Sequence, residues 1–477
     1  MDIPEKNVNQ WTLLLSRRFS GFFWTQFFTA FNDNVYKNAL IIYVSFYSLE
    51  KLYFNPNMMI NLGAGLFILP FFLFSASSGQ LSDKYEKSGL IRKIKLGEIC
   101  IMSLACLGFL IESLALLYLV LFLTGAQSTF FSPAKYSIIP QHLTEKELIG
   151  GNALVEMGTF AAILLGTMTG GILIQTGYGK TALSIAVLVF ACIGWVTSRF
   201  IPKAPPADPN LKFQWNPLKQ TLKTIRFAKQ DPTIWRCIWG ISWFWFLGGA
   251  FLTQIPNYTR TCLMGNESVA TLCLTMFSMG IGVGSMLCEK LSNHRVDLGL
   301  TTFGVLGLCI FGTDIPFAYT APSEQVMSLN TFLLTDGSYR IVIDLFMYSV
   351  FGGFYIVPLY AYIQQQTPFE IRSRVIAGTN IINAMLMVLS SVLGMVYLGI
   401  LKQSIPSFFL LLSGLSLVFF SVLFFIEPLF IYAFMNWVSR TINVRWILPS
   451  FELHDNQSDT FQKRGSFLSS ERRNISS

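Results

Sequence analysis

The feature that most constrains the fold is a series of twelve long apolar stretches in a chain of 477 residues. Crossing about 30 Å of hydrocarbon takes about 20 helical residues. A chain in lipid must satisfy its backbone hydrogen bonds internally, and the ten-residue alternation of a barrel is not visible here, so every stretch is predicted to be a helix. The sequence therefore predicts an all-α membrane protein with twelve transmembrane helices. The predicted spans are 19–46, 57–80, 94–112, 114–132, 150–175, 179–200, 234–257, 267–289, 298–319, 340–364, 376–400 and 405–430.

Composition argues against a soluble protein and against an enzyme. Only 13% of the residues are charged, against about 25% in typical soluble domains. The eight cysteines form no C-x-x-C pair, so neither a zinc site nor a disulfide framework is predicted. Because no nucleophile–base or metal constellation is visible, we expect a protein that is not an enzyme. We also expect no cofactor, no metal and no nucleic-acid partner.

Positive charge orients the chain. The first apolar run is longer than the 7 to 15 residues of a signal peptide, so it is predicted to stay as span one. With both termini in the cytoplasm, all but six of the 34 Lys and Arg residues lie on the inside, as the positive-inside rule requires. The exceptions are Lys51, Lys180, Arg260, Arg340 and Lys402 outside and Lys37 within span one.

The twelve spans divide six and six around a proline-rich segment. The predicted units are a cytoplasmic N-terminus (1–18), a first six-helix bundle (19–200), a cytoplasmic linker (201–233), a second six-helix bundle (234–432) and a disordered cytoplasmic tail (433–477). The halves repeat each other weakly: Gln80–Lys84 after span two resembles Met286–Lys290 after span eight, and Ile149–Asn152 resembles Ile376–Thr379. Two parallel repeats are typical of transporters with a midplane site between the halves.

Span one carries polar residues that are unusual in a membrane. Charges near a bilayer centre cost about 2.5 to 3.5 kcal/mol each and normally face a polar cavity. Asp33 and Lys37 are four residues apart, so one interpretation is a structural ion pair on one helix face. The neighbouring Asn32, Asn34 and Asn38 add polar groups beyond the needs of one pair. This surplus favours a water-filled binding cavity.

Further candidates lie on other spans. Lys135 is near the cytoplasmic end of span four and Glu156 is early in span five. Lys135 is predicted either to line the cavity or to snorkel to the interface, and Glu156 either to line it or to form a helix contact. Gln26 and Gln364 are uncharged cavity candidates, and Glu98 in span three has no predicted partner.

The loop after span two resembles the loop motif of the major facilitator superfamily. The motif residues are Gly79–Tyr85 followed by Arg92. The resemblance implies two six-helix bundles and a gate formed by Gly79, Asp83, Lys84 and Arg92. In that family Asp83 would dock at the N-terminus of span eleven, where unpaired amides favour negative charge. The alternative is a charged loop that only orients the chain.

Several stretches narrow this resemblance to the bacterial lysophospholipid transporter family. They are Gln26–Asn34, Phe131–Tyr136, Asn152–Glu156, Ala161–Gly166, Gly352–Phe354 and Val357–Leu359. The family implies a flippase that moves lysophospholipid, chiefly lysophosphatidylethanolamine, from the outer to the inner leaflet of the bacterial inner membrane. A separate acyltransferase would then restore the missing chain. The resemblance further implies a monomer surrounded by membrane lipids.

The implied substrate carries a phosphate and an ammonium. Asp33 would bind the ammonium, and Lys37 or Lys135 the phosphate, through charge-assisted hydrogen bonds. One departure is that span seven lacks the Arg expected in some members, with Arg236 and Arg260 at its two ends instead. Head-group preference is therefore open.

A second function stays open alongside the flippase. A proton-coupled exporter or importer of a small amphipathic solute would need a carboxylate, Asp33 or Glu156, that titrates near the working pH.

Overall fold

The computed structural model describes residues 10–47, 56–214, 216–318 and 325–441. Within these ranges the regular structure is helical apart from one isolated bridge between Gly265 and Met327. The first half comprises α1 (Gln10–Leu15), α2 (Ser20–Tyr47), α3 (Pro56–Lys84), α4 (Lys87–Leu110), α5 (Leu114–His142), α6 (Glu145–Ile174) and α7 (Gly179–Ser198). The linker contains α8 (Pro217–Ala228). The second half comprises α9 (Pro232–Thr261), α10 (Glu267–Leu291), α11 (Leu298–Asp314), α12 (Leu329–Leu333), α13 (Ser338–Gln366), α14 (Arg372–Gly394), α15 (Ile405–Ile426) and α16 (Leu429–Thr441).

Long helices occupy all twelve predicted spans: α2 to α7, α9 to α11 and α13 to α15. Ten helices in the described part of the chain are long and apolar enough to cross a membrane. The two remaining span helices, α2 and α4, carry charged residues in their interiors. The all-α membrane architecture is confirmed, and the helix positions agree with a twelve-span chain.

Capping residues explain where several helices begin. Thr144 and Glu147 form a capping box at the start of α6, which satisfies amides that the first turn leaves unpaired. Asp231 accepts hydrogen bonds from the amides of Thr233 and Ile234 at the start of α9, at 2.8 and 3.0 Å. Because these caps lie just before the apolar runs, the predicted starts fall close to the observed ones.

The helices form two bundles, α2 to α7 and α9 to α15. Between the bundles, α6 packs against α10, while α3 and α5 pack against α14. In the sequence repeat, span two corresponds to span eight and span five to span eleven. Span two is α3, span eight is α10, span five is α6 and span eleven is α14. The α3–α14 contact and the α10–α6 contact are therefore related by the repeat.

One end of the molecule, here called the basic end, is where α3 meets α4 and where α8 lies against α3 and α14. The other is called the far end. At the basic end α16 packs against α11, and the indole nitrogen of Trp437 donates to the carbonyl of Leu291 at 2.8 Å. The predicted boundary at 432/433 thus falls inside a packed helix. Residues 442–477 of the predicted tail and 1–9 of the predicted N-terminus lie outside the described ranges.

Candidate functional site

Asp33 lies on α2 with its carboxylate buried inside the first bundle. Its side chain is 6% exposed, and its Oδ2 accepts a hydrogen bond from the Ser128 hydroxyl of α5 at 2.6 Å. Its Oδ1 has no hydrogen-bond partner among the described residues. The Lys37 ammonium lies 4.4 Å from the centre of the Phe67 ring, and no hydrogen bond or ion pair to Asp33 is found in the described structure. The two charges do not form the closed pair that their spacing allows.

A second buried charge cluster lies beside Asp33. Lys95 and Glu98, three residues apart on α4, form an ion pair with almost no exposed surface. The Lys95 ammonium also donates to the Thr29 hydroxyl at 3.0 Å. The Glu98 carboxylate accepts from the side-chain amides of Asn32 and Gln127 at 3.2 and 2.9 Å. Asn32 therefore stabilises Glu98, rather than facing open water as predicted.

Ser128 connects the two clusters. Its hydroxyl lies 2.6 Å from Asp33 Oδ2 and 3.3 Å from Gln127 Oε1, and Gln127 in turn donates to Glu98. This chain of contacts joins the carboxylates of Asp33 and Glu98. Of the four carboxylate oxygens of Asp33 and Glu98, Asp33 Oδ1 has no hydrogen-bond donor among the described residues.

The other asparagines of span one bind backbone. Asn34 donates to the carbonyl of Ala30 on its own helix at 2.6 Å. Asn38 donates to the carbonyl of Thr167 on α6 at 2.7 Å. Each of these two amides therefore uses one of its two N–H groups on backbone, and their predicted place beside a cavity stays a prediction.

Lys135 and Glu156 both face the protein interior. The Lys135 ammonium donates to the Thr159 hydroxyl at 3.2 Å, and Thr159 donates to Gln26 Oε1 at 3.1 Å. Glu156 accepts from the Tyr136 hydroxyl at 3.0 Å. The snorkelling alternative for Lys135 is not what the structure has, since this side chain is only 9% exposed. Gln26, Lys135 and Glu156 lie in one neighbourhood, separate from the hydrogen-bonded group of Asp33.

Aromatic and amide contacts join this neighbourhood to the second bundle. Tyr136 stacks on Tyr360 of α13, with ring centres 4.5 Å apart and planes 3° from parallel. Tyr360 also accepts from the indole nitrogen of Trp245 at 3.1 Å. Asn152 and Gln364 exchange two amide hydrogen bonds of 2.8 and 2.9 Å. Gln364, predicted to line the cavity, instead closes a contact between the halves.

Asp83 lies against the N-terminus of α14. Its Oδ1 accepts from the backbone amide of Ser373 at 3.2 Å, and its Oδ2 accepts from Arg374 Nε at 2.9 Å. Gly79, one turn earlier, permits this approach because it has no side chain. A Cβ at this position would lie 2.8 Å from the Ala377 Cβ, which is too close. The motif acid thus meets both the unpaired amides of a helix start and a cation.

The other two predicted gate residues, Arg92 and Lys84, make contacts within the first half and the linker. Arg92 donates to the carbonyls of Ser198 and Ile201 at 3.3 and 2.8 Å, which ties α4 to the end of α7. The Lys84 ammonium lies 5.9 Å from the centre of its neighbour Tyr85. Neither of these described contacts reaches α14, so only Gly79 and Asp83 of the four form the contact between the halves.

Glu86, between α3 and α4, anchors the linker to the motif loop. Its carboxylate accepts from the amides of Ser88 and Gly89 at 3.0 and 2.7 Å and from the amide of Ala204 at 2.8 Å. Partial burial alone would raise the pKa of Glu86, but these hydrogen bonds outweigh it and hold the pKa below its ordinary value. The carboxylate therefore stays charged and keeps the linker in place.

Sequence reasoning missed Lys95, Gln127, Ser128 and Arg374. Lys95 had a usable signal, because it precedes the unpartnered Glu98 by three residues and so shares a helix face with it. Ser128 and Gln127 lie about a hundred residues from α2 in the chain, so local spacing carried no signal for them.

The chamber predicted beside Asp33 stays a prediction. Two hollows in the described structure lie elsewhere: one of about 380 Å³ is bounded by α7 residues alone. The other, of about 10 Å³, is inside the second bundle beside Phe244, Phe277 and Tyr348. Neither borders Asp33.

Two bundles of membrane-length helices, joined through equivalent contacts and with charged residues buried in their interiors, are typical of membrane transporters. The sequence model of the Major Facilitator Superfamily matches residues 22–389. The chain belongs to this superfamily, and it is a transporter rather than an enzyme.

Named relatives are found among bacterial transporters. The lysophospholipid transporter LplT of Klebsiella pneumoniae is 28% identical over 349 residues, which cover 72% of this chain and 78% of the relative. LplT of Serratia proteamaculans is 25% identical over 360 residues, covering 74% of this chain and 81% of the relative.

Solved structures support the fold. The human organic anion transporter MFSD10 (TETRAN) superposes with a TM-score of 0.66 at 14% identity, covering 85% of this chain and 99% of that one. The Escherichia coli fucose:proton symporter FucP superposes with a TM-score of 0.61 at 13% identity, covering 88% and 98%. At such identities the likeness concerns the fold alone.

Proposed function

We propose that this protein moves lysophospholipid, chiefly lysophosphatidylethanolamine, from the outer to the inner leaflet of a bacterial inner membrane. A separate acyltransferase would consume the delivered lipid. The names of the relatives, together with the motif stretches in the first half, support this substrate class.

The observation that carries the proposal is the carboxylate of Asp33. It is buried, it is bonded on one oxygen to Ser128 and its other oxygen has no donor among the described residues. A buried unsatisfied acceptor costs about 1 to 3 kcal/mol. An ammonium group from a lipid head would remove that cost, so Asp33 is the proposed ammonium site.

The phosphate would bind to a cation near Asp33. Lys37 lies one turn further on the same helix and has its ammonium over the Phe67 ring, a contact worth about 0.5 to 2 kcal/mol. A phosphate offers a stronger, charge-assisted partner. We therefore assign the phosphate to Lys37 in this conformation. Lys135 lies in the Gln26–Thr159 neighbourhood and is proposed to bind the phosphate at a later stage.

The proposed orientation places the basic end in the cytoplasm. The contacts of Asp83 with α14, of Asn152 with Gln364 and of Tyr136 with Tyr360 all join the halves, and the first of these lies at the basic end. With that end closed, substrate would enter from the far end, which faces the outer leaflet. Release would require these contacts to separate.

Uptake of labelled lysophosphatidylethanolamine by liposomes containing the purified protein tests the proposal. Asp33→Asn keeps the shape but removes the charge. We expect its initial rate to fall at least about tenfold, because a hydrogen bond to a charged group is worth about 1.5 to 3 kcal/mol. Asp336→Asn, an exposed acid in the loop before α13, is the matched control and should transport normally. Wild-type rates in Asp33→Asn would refute the assigned role.

A proton-coupled transporter of an amphipathic solute is the second candidate. The observation that favours it is the link from Asp33 through Ser128 and Gln127 to Glu98, which places two carboxylates in one hydrogen-bonded group. The same liposomes, with and without an imposed pH gradient, separate the two functions. Lysophospholipid uptake that continues after an uncoupler favours the flippase, and uptake that stops favours proton coupling.

A further inference from the structure

The linker helix α8 has two chemically distinct faces. Gln220, Thr224 and Ala228, spaced four residues apart, are buried. Their neighbour is α14: Thr224 Cγ2 and Ala228 Cβ lie 3.5 Å from the position that a Cβ on Gly378 would take. This face is occupied by the protein itself.

The opposite face is basic and exposed. It consists of Lys219, Leu222, Lys223, Arg226 and Lys229, here called the basic stripe. The spacing of three, one, three and three residues places all five on one side of the helix. Leu222 is 69% exposed, so the stripe presents an apolar group among its cations.

Among the residues that the structure describes, no acidic side chain neutralises Lys219, Lys223 or Arg226. The sequence of α8 contains no acidic residue. Lys219, Lys223 and Arg226 form no ion pair with any residue in the described ranges. Two cations of the stripe lie over aromatic rings instead. The Lys223 ammonium is 5.9 Å from the centre of the Phe227 ring, and the Lys229 ammonium is 5.1 Å from the centre of the Trp235 ring.

The position of α8 indicates what this face meets. It lies against α3 and α14, near Gly378 in the second turn of α14. Both neighbours are membrane-length helices. A helix that packs beside the ends of spans lies at the depth of lipid head groups, and a basic amphipathic helix at that depth is typical of binding to anionic membrane surfaces.

We propose that the basic stripe binds the head groups of anionic phospholipids in the leaflet next to the basic end. Leu222 would enter the boundary between head groups and acyl chains. The buried face of the same helix touches α14 close to the residues that receive Asp83. Bound anionic lipid would therefore hold α8 against α14 and stabilise the closed basic end.

Native mass spectrometry of the purified full-length protein tests this binding without any transport assay. The probes are phosphatidylglycerol, which is anionic, and phosphatidylethanolamine, which is zwitterionic. The test variant is Lys219→Gln/Lys223→Gln/Arg226→Gln. The control variant, Lys93→Gln/Lys203→Gln/Lys212→Gln, removes three exposed basic residues at the same end but off the stripe.

We expect wild type to bind phosphatidylglycerol more tightly than phosphatidylethanolamine. The test variant should lose at least about tenfold in phosphatidylglycerol affinity, because it lacks three of the four cations that attract the anionic head group. The control should lose no more than about twofold. Unchanged binding in the test variant, or equal losses in both variants, would overturn the proposal.

A competition experiment distinguishes a lipid ligand from a soluble anion, and single variants provide a second test of the stripe. Glycerol phosphate carries the anionic group without acyl chains, and it should displace phosphatidylglycerol poorly; efficient displacement would mean that the stripe binds a soluble anion and would overturn the lipid assignment. If the triple variant purifies poorly, the three single Gln variants replace it. Each should then weaken phosphatidylglycerol binding severalfold, and three unchanged affinities would also overturn the proposal.

Discussion

Among individual residues, the buried charges of the first bundle are stabilised by different means. Lys95 and Glu98 pair with each other and each has further hydrogen-bond partners. Such a pair persists only when the remaining donors and acceptors are satisfied, because desolvating two ions costs several kcal/mol each. Among the described residues, the Asp33 carboxylate accepts a side-chain hydrogen bond from Ser128 and the Glu156 carboxylate accepts one from Tyr136. Each acid keeps one buried oxygen without a donor, and Asp33 is the one beside the Lys95–Glu98 cluster.

Gly79 is the residue on which the approach of α3 to α14 depends. We expect Gly79→Ala to destabilise the closed conformation by about 1 to 3 kcal/mol, the usual cost of overpacking. The reason is that the new methyl would lie 2.8 Å from the Ala377 Cβ and 3.1 Å from the Arg374 Cα. Thermal unfolding of the purified protein should register this as a lower midpoint.

Gly65 provides the control on the same helix. A Cβ at Gly65 meets nothing within 4 Å, so Gly65→Ala should be neutral or slightly stabilising, since Ala favours helix over Gly. In the double variant Gly79→Ala/Ala377→Gly the main clash is removed, and we expect part of the stability to return. Equal midpoints for Gly79→Ala and Gly65→Ala would contradict this account.

At the scale of elements, α14 is the helix on which contacts from several others converge. Its first turn receives Asp83 of α3. Further along, Asn380 and Ser132 of α5 are joined by hydrogen bonds of 2.9 and 3.2 Å, and Ser242 of α9 donates to Asn383 at 2.6 Å. A movement of α14 relative to the first bundle would break the first two sets of contacts together.

Removing the charge of Asp83 should loosen α14. In Asp83→Asn the side-chain oxygen can still accept from Ser373, but the ion pair with Arg374 and the favourable interaction with the helix dipole are lost, worth about 1 to 3 kcal/mol together. We expect the basic end to open more often. The rate of maleimide labelling of a cysteine at position 132, introduced as Ser132→Cys, should rise several-fold.

The matched control is Asp208→Asn, in the linker beside the motif loop. The side chain of Asp208 makes none of the described contacts to α14, so the labelling rate should stay at that of Ser132→Cys alone. Labelling of the eight native cysteines is subtracted with a protein that lacks the new cysteine. An Asp83→Asn protein that labels no faster would argue that the motif acid only orients the loop.

For the whole molecule, the equivalent contacts between the halves are chemically unequal. The α3–α14 contact has the Asp83–Arg374 ion pair. At the corresponding position of α10, Glu289 accepts instead from the backbone amide of Gln10 at 3.2 Å and approaches the position of a Cβ on Gly150 of α6. The short helix α1 therefore takes part in closing the second contact. Opening of the closed end should therefore begin at the α6–α10 contact, where fewer charged contacts must break than at the α3–α14 contact.

A cross-link across the halves should stop transport. Ser132 and Asn380 lie on opposite bundles with side-chain atoms 2.9 Å apart, so Ser132→Cys/Asn380→Cys should form a disulfide under mild oxidation. If the closed basic end must open in each cycle, oxidised protein should lose nearly all lysophospholipid uptake and regain it on reduction. Each single-cysteine variant, oxidised in the same way, should retain uptake. Full activity of the cross-linked protein would refute alternation at this end.

The sequence by itself determined that the chain is built of long membrane helices and that it resembles the superfamily. Those follow from local physics: hydrocarbon thickness sets the length of each apolar run, caps set where helices begin, and the motif after span two occupies one continuous stretch. The charges of Asp33, Lys135 and Glu156 also stand out, because a charge inside an apolar run is visible without knowing the fold. Whether Lys135 faces the interior or the interface is open at that level.

Only the tertiary structure decided which partners these groups have. Asp33 bonds to Ser128 rather than to Lys37, and Asn32 to Glu98. Gln364 closes a contact with Asn152 instead of lining a cavity. Each of these choices joins helices that are far apart in the chain. Periodicity along one helix specifies which face is polar, whereas the packing of the bundles decides which other helix that face meets.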